Sequence, residues 1–263
     1  MKRHGVTRFN SAIVRPPGRT FADGLTSVPL GAPSLELALE QHAAYVAALE
    51  RCGLTVTTLE PNDAFPDSTF VEDTAVIAGS NAMLTRPGAA SRLGEAAAIR
   101  QTIARFFPDF EEITEPGTLD GGDVCEAEGC VYIGLSERTN RSGADQLAAF
   151  VQKAGAKASF VDMTGIESIL HLKSGMSYAG DGIFVAIDEL LPRLDLSGGR
   201  VLHVPPGEEY GANCVRVNDC VLVAAGYPAL EALLRSCGLS PIALDMSEYQ
   251  KMDGGLSCLS LRF

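Results

Sequence analysis

The sequence predicts an α/β fold in which a strand-turn-strand-helix-strand unit recurs about five times around a ring. Three observations predict it: two segments share that order of elements, the same template extends outward from them, and the first unit lacks a strand that the C-terminus can supply. In the first segment, residues 123–127 and 130–135 flank Glu128-Gly129, helical periodicity follows over 144–154, and 158–161 is β-like. In the second, 214–217 and 220–225 flank Asn218-Asp219, a helix follows Pro228 over 230–236, and 242–245 ends the unit.

Read with that template, residues 73–78 and 82–85 form a hairpin around Gly79-Ser80-Asn81, followed by a helix over 94–106. A shorter copy runs through strands at 176–178 and 183–187, a helix at 188–194 and a strand at 201–204. The remaining unit has a strand at 9–15, a helix at 34–52 and a strand at 54–59, and needs one more strand. Residues 257–262 can zip onto it and close the ring. Strand-turn-strand-helix-strand also recurs by chance in α+β chains, so the repetition alone leaves both readings open. No long linker divides the chain, and residues 1–263 read as one domain.

With 46% apolar and 21% charged residues, the chain has the composition of an ordered globular protein. A formal net charge of -12 and the absence of basic clusters weigh against nucleic acid and anionic membranes as partners. The start, MKRHGVTRFNSAIVRPP, has no apolar stretch of signal-peptide length. Seven cysteines, an odd number in a long chain, weigh against a secreted disulfide framework, so the expected compartment is the reducing cytoplasm. Their spacing is not that of paired zinc ligands, and no metal is expected. Six of them, Cys52, Cys125, Cys130, Cys214, Cys220 and Cys237, fall in hairpins or near helix ends and read as small buried hydrophobes.

Cys258 differs, because it follows Gly254-Gly255, which permit close approach of a ligand, and has serines at 257 and 260. His171 lies between apolar residues in ILHL, where a core role is the commoner one. A thiol, an imidazole and acids far apart in sequence are nonetheless the parts of nucleophilic catalysis on a cationic carbon. The acids lie in FPDSTFVED at 65–73 and in DGGD at 120–123. Adjacent Glu72 and Asp73 open a strand, where one side chain must point inward and needs a strong partner. A bound guanidinium, with its planar fork, is such a partner.

Taken together, DGLTS at 23–27, FPDSTFVED at 65–73, LTRPGA at 84–89, LDGGDV at 119–124, YIGLSERTN at 132–140, LHLKSG at 170–175, NCVRVN at 213–218 and the terminal DGGLSCLSLRF resemble the dimethylarginine dimethylaminohydrolase family of guanidino-group modifying enzymes. The resemblance spans nearly the whole chain. It implies the five-bladed ββαβ propeller called the pentein fold, and hydrolysis of Nω-methylated arginine to citrulline and an amine without a cofactor. By motif position, Cys258 resembles the nucleophile, His171 the general acid/base and Asp120 the acid that orients it. Asp73, with Glu72 and Asp67 beside it, resembles the guanidinium site, and Phe70 its wall. Arg86 and Arg138 resemble the pair that binds the substrate α-carboxylate, and Leu25 and Met252 the positions whose carbonyls hold its α-amino group. The partner implied is this small molecule, with the chain a monomer or homodimer.

Related deiminases and amidinotransferases carry HxD where this chain has His171-Leu172-Lys173. A dimethylated nitrogen has no proton for that second acid, which would be left desolvated at a cost of about 1–3 kcal/mol. The loss of the acid fits a methylated substrate, and residues 18–29 are expected to form a lid.

Overall fold

The computed structural model describes residues 8–196 and 198–263, which contain five three-stranded sheets. The first unit consists of β1 (Ser11–Val14), α1 (Leu35–Arg51) and β2 (Thr55–Thr58). The second has β3 (Ala75–Ala78), β4 (Asn81–Leu84), α2 (Glu95–Phe106) and β5 (Glu111–Glu112). The third has β6 (Val124–Ala127), β7 (Cys130–Leu135), α3 (Arg141–Lys153) and β8 (Lys157–Asp162). After α4 (Leu172–Gly175) come β9 (Met176–Gly180), β10 (Ile183–Ala186) and β11 (Arg200–His203). The last unit has β12 (Val215–Val217), β13 (Cys220–Ala224), α5 (Pro228–Ser236) and β14 (Pro241–Leu244), and is followed by α6 (Ser247–Gln250) and β15 (Leu261–Arg262).

Each middle strand pairs antiparallel with the strand before it and parallel with the one after its crossover. The first sheet obeys the same rule only because β15 pairs antiparallel with β1, Ala12 opposite Arg262, while β1 runs parallel to β2. The expected closure by the C-terminus is therefore the one observed. Residues of β3, β6, β9, β12 and β15 line one common cavity of about 230 Å³ on the axis of the ring. The fold is the five-bladed α/β propeller.

Local chemistry sets the crossovers. The Ser34 hydroxyl caps α1 by accepting from Leu37 N–H at 3.3 Å, and the helix buries Ala38, His42, Tyr45 and Leu49 at helical spacing. Asn140 caps α3 in the same way through Gly143 N–H at 2.9 Å, and α3 buries Ala144, Leu147, Ala148 and Val151. Truncating a side chain as buried as Leu147 to alanine costs about 2–5 kcal/mol. The expected helix over 188–194 is a single 3₁₀ turn, Leu191–Arg193, because Pro192 at its start supplies no N–H to a longer helix. The strand β5 was not expected: its two residues, Glu111 and Glu112, are exposed and have low β propensity. Among the described residues, no helix is long and apolar enough to cross a membrane.

Candidate active site

The crossovers and turns at one end of the axis bring distant segments to a cleft lined by Leu25, Asp67, Phe70, Asp73, Arg92, Arg138, Leu170, His171, Met252, Asp253, Gly254 and Cys258. The expected thiol, imidazole, two carboxylates, aromatic wall and one arginine thus meet. Asp120 lies directly behind His171.

His171 caps the N-terminus of α4, and its Nε2 lies 3.0 Å from Asp120 Oδ2. Asp120 has no exposed surface; its other oxygen accepts from Gly88 N–H at 2.8 Å, and Arg138 stands 3.6 Å away. Asp123 accepts from Leu172 N–H at 3.0 Å and from the hydroxyls of Ser136 and Thr139, which fixes the turn next to the histidine. Burial disfavours the imidazolium, but Asp73, Asp120 and Asp123 outweigh it and raise His171 to about 9. The ring reaches this position because residue 122 is glycine: a Cβ there would lie 2.7 Å from His171 Nδ1.

Asp73 is also buried. It accepts from Arg92 Nη1 at 2.6 Å and from Gly122 N–H at 2.8 Å. Burial opposes its ionisation, yet Arg92 and then His171 hold its carboxyl down at about 2. Arg92 is in turn gripped by Glu95 and the carbonyls of Asp67 and Phe70. Asp67 accepts from Leu25 N–H at 3.1 Å, and burial pushes its carboxyl upward. Half-buried Cys258 sits in a 3₁₀ turn, Ser257–Leu259, and burial, followed by the charges of Glu72 and Asp73, pushes its thiol up to about 12. Phe70 packs against Phe21 and Tyr249, and Gly254 leaves room for its ring.

Two of the expected site residues stand away from the cleft lining. Arg86 does not line the cleft; it reaches outward to Glu115 at 2.7 Å and toward the Gly117 carbonyl. Arg92, six residues later, is the arginine that folds back, and sequence reasoning missed it because its short 3₁₀ turn has no motif or apolar pattern. Glu72 also lies outside the cleft. Residues Val71–Thr74 form a 3₁₀ turn rather than the start of a strand, so both acids are buried but point to opposite ends of the axis. Glu72 accepts from Lys173 at 2.6 Å and from Ser257 Oγ at 2.7 Å, with Arg262 at 3.4 Å, on the side of the axial cavity.

Over the cleft, the segment after Gly24 is pinned down: Thr26 Oγ1 donates to the Lys251 carbonyl and Ser27 N–H to Asp253, at 2.8 and 2.6 Å. Leu25 is 41% exposed on this segment, while Met252 is buried opposite. Donor atoms of Asp73, Asp120 and His171 lie within 4.8 Å of one another, as in many metal sites. Here Arg92 and Gly122 each bond one oxygen of Asp73, and Gly88 and the imidazole each bond one oxygen of Asp120.

The arginine deiminase family model matches residues 57–197. An N(G),N(G)-dimethylarginine dimethylaminohydrolase of Pseudomonas aeruginosa is 43% identical over 97% of this chain and all of its own length. The chain belongs to the dimethylarginine dimethylaminohydrolase family. A solved structure of that family from Pseudomonas aeruginosa, a cysteine-to-serine variant complexed with citrulline, superposes with a TM-score of 0.94 at 42% identity, covering 98% of this chain and 100% of the other. A histidine-to-glycine dimethylarginine dimethylaminohydrolase, solved as an adduct with S-methyl-L-thiocitrulline, gives a TM-score of 0.93 at 42% identity over 97% and 100%.

Proposed function

We propose that this chain hydrolyses asymmetric dimethylarginine and monomethylarginine to citrulline and dimethylamine or methylamine through a covalent Cys258 thiouronium. The observation that carries the reading is the cleft itself, which sets a thiol and a raised imidazole beside two buried carboxylates. Asp73 and Asp67 pair with the guanidinium N–H groups and hold it planar, and Phe70 walls it. Arg138 binds the α-carboxylate, and the carbonyls of Leu25 and Met252 receive the α-amino group. The cleft is only about 20 Å³, room for a water or so, so the substrate enters when the Leu25 segment lifts.

The thiol held near 12 needs a cation to ionise; the guanidinium supplies one at contact, and the thiol proton leaves to solvent because His171 already carries its own. Cys258 Sγ bonds to the guanidinium carbon, and His171, protonated because of its acids, passes a proton to the methylated nitrogen as that C–N bond breaks. Water then adds to the S-alkylthiouronium carbon with His171 as base. The C–S bond breaks, returning the thiolate and releasing citrulline. Asp120 keeps the imidazole aimed throughout.

The specificity rests on position 173. Its lysine turns away to Glu72, so no acid stands there for N–H groups that a dimethylated nitrogen lacks. Mass spectrometry of products from dimethylarginine, monomethylarginine and arginine tests this. We expect citrulline from the methylated substrates and a kcat/KM for arginine about 5- to 150-fold lower, the equivalent of about 1–3 kcal/mol. Comparable values for arginine would overturn the specificity, and absence of citrulline from all three would overturn the activity.

A further inference from the structure

Cys258 and His171 come from segments far apart in sequence, and one buried amide joins the two. Asn213, 5% exposed, stands where the 3₁₀ turn Glu209–Ala212 enters β12. Its Oδ1 accepts from Ser257 N–H at 2.9 Å, one residue before the cysteine. Its Nδ2 donates to the Lys173 carbonyl at 2.8 Å, two residues after the histidine, and to Ser257 Oγ at 3.0 Å. Three of the four hydrogen bonds open to the amide are therefore made, all to these two segments. None of the three residues lines the cleft.

The surrounding groups leave the amide little freedom. Ser257 Oγ donates a hydrogen bond to Glu72 at 2.7 Å, and Glu72 pairs with the Lys173 ammonium at 2.6 Å, so a second link closes a loop through the same two segments. Gly255 presses against the amide; a Cβ there would lie 2.5 Å from Asn213 Oδ1. On its other side His171 is already held by Asp120, and Leu172 by Asp123. Asn213 is the direct tie between that assembly and the cysteine turn, and Glu72 the indirect one.

We propose that Asn213 is a positioning residue that sets the separation of the Cys258 sulfur and the His171 imidazole, and with it the rate of the chemical steps rather than substrate affinity. The inference rests on the activity proposed above. A misplacement of about 1 Å costs catalysis up to about a hundredfold, so Asn213→Ala should lower kcat by about 10- to 100-fold with KM within about threefold. Gly255→Ala keeps every atom of the amide but displaces it, and should shift the same parameter in the same direction.

The second readout needs no turnover. Iodoacetamide alkylation, followed cysteine by cysteine by mass spectrometry, should accelerate at Cys258 by about threefold or more relative to Cys125 and Cys52 in either variant, because the turn bearing Cys258 is released while the buried thiols stay packed. General loosening would speed all three together and would overturn the proposal. So would kcat within about threefold of wild type in a folded variant, or a loss confined to KM. If Asn213→Ala does not fold, Gly255→Ala carries both measurements. If the wild type releases no citrulline, the activity fails, and selective acceleration at Cys258 still decides whether the amide holds the turn.

Discussion

Glu72 and Asp73 are neighbours in one turn, yet they serve opposite ends of the propeller axis. At the cleft end, Asp73, Asp67 and Asp120 are backed by arginines and backbone N–H groups, and a thiol is left facing a narrow space of about 20 Å³. At the other end, Glu72 faces a cavity of about 230 Å³, where Lys173 and Arg262 neutralise it and Glu126 and Arg216 also line the wall. Asp73 and Asp67, which line the cleft, keep acceptor positions beyond those taken by Arg92, Gly122 and Leu25, which leaves capacity for a cation. The acid at the second end has its cations already, and its role is to hold the ring together. Similar residue types thus perform chemistry or support depending on whether the protein completes their charge pairing.

The comparison breaks most visibly at the cysteine. Cys258→Ser should reduce citrulline release by about 10⁴-fold or more while citrulline binding, followed by calorimetry, persists. Substantial turnover in that variant would remove sulfur from the reaction. Asp120→Asn should follow with a fall of about 10²- to 10³-fold in kcat and little change in KM, because only the aim and charge of the imidazole are lost. A loss in KM alone would move Asp120 from orientation to binding.

The pH profile separates the ends without a mutation. In the free enzyme both His171, near 9, and Cys258, near 12, carry protons at neutrality. The reactive form has a thiolate and an imidazolium, one proton fewer. Therefore kcat/KM should rise about tenfold per pH unit up to about 9 and then level, about a hundredfold above its value at pH 7. A profile already flat at pH 7 would mean that the three acids do not hold the imidazole proton as their geometry implies.

The two neighbouring acids give the direct test. Asp73→Asn should cost about 2–3 kcal/mol of transition-state binding, a fall in kcat/KM of about 30- to 150-fold. Glu72→Gln should leave KM for dimethylarginine within about threefold, but remove the charge partner of two half-buried cations, Lys173 and Arg262, and lower unfolding stability by about 1–3 kcal/mol, read as a lower urea midpoint. If the two variants exchanged these effects, the division between the ends would be wrong.

Much of this arrangement was legible in the sequence. Hairpins turning at Gly79, Gly129, Asp181 and Asn218, each with positive φ, punctuate the repeat, and the missing strand of the first unit pointed to the C-terminus. Cys258, His171 and Asp73 stood in motifs whose chemistry is specific. What stayed hidden depended on direction in space. No pattern in VEDT says that adjacent acids in a 3₁₀ turn diverge to the two ends of an axis. Nothing in SRLGE marks Arg92 as the arginine that turns inward to Asp73 and Glu95. Asn213 looked like one letter of a motif, because its role exists only once two distant segments meet.

The smallest expected effect concerns Arg86, and it sharpens the boundary of the cleft. Its isolated bridge to Leu119 fixes its backbone where β4 has ended, and its side chain leaves toward Glu115, which is itself 79% exposed. An exposed ion pair of this kind contributes about 0–1 kcal/mol, so Arg86→Ala should change kcat/KM by less than about threefold and shift the thermal midpoint only slightly. Arg138→Ala, at the cleft wall beside Asp120, should raise KM for dimethylarginine by about tenfold or more through loss of the α-carboxylate contact. An equal rise in KM for both variants would mean that Arg86 swings inward when substrate is bound, and the cleft would then have two mobile walls, at Leu25 and at Arg86.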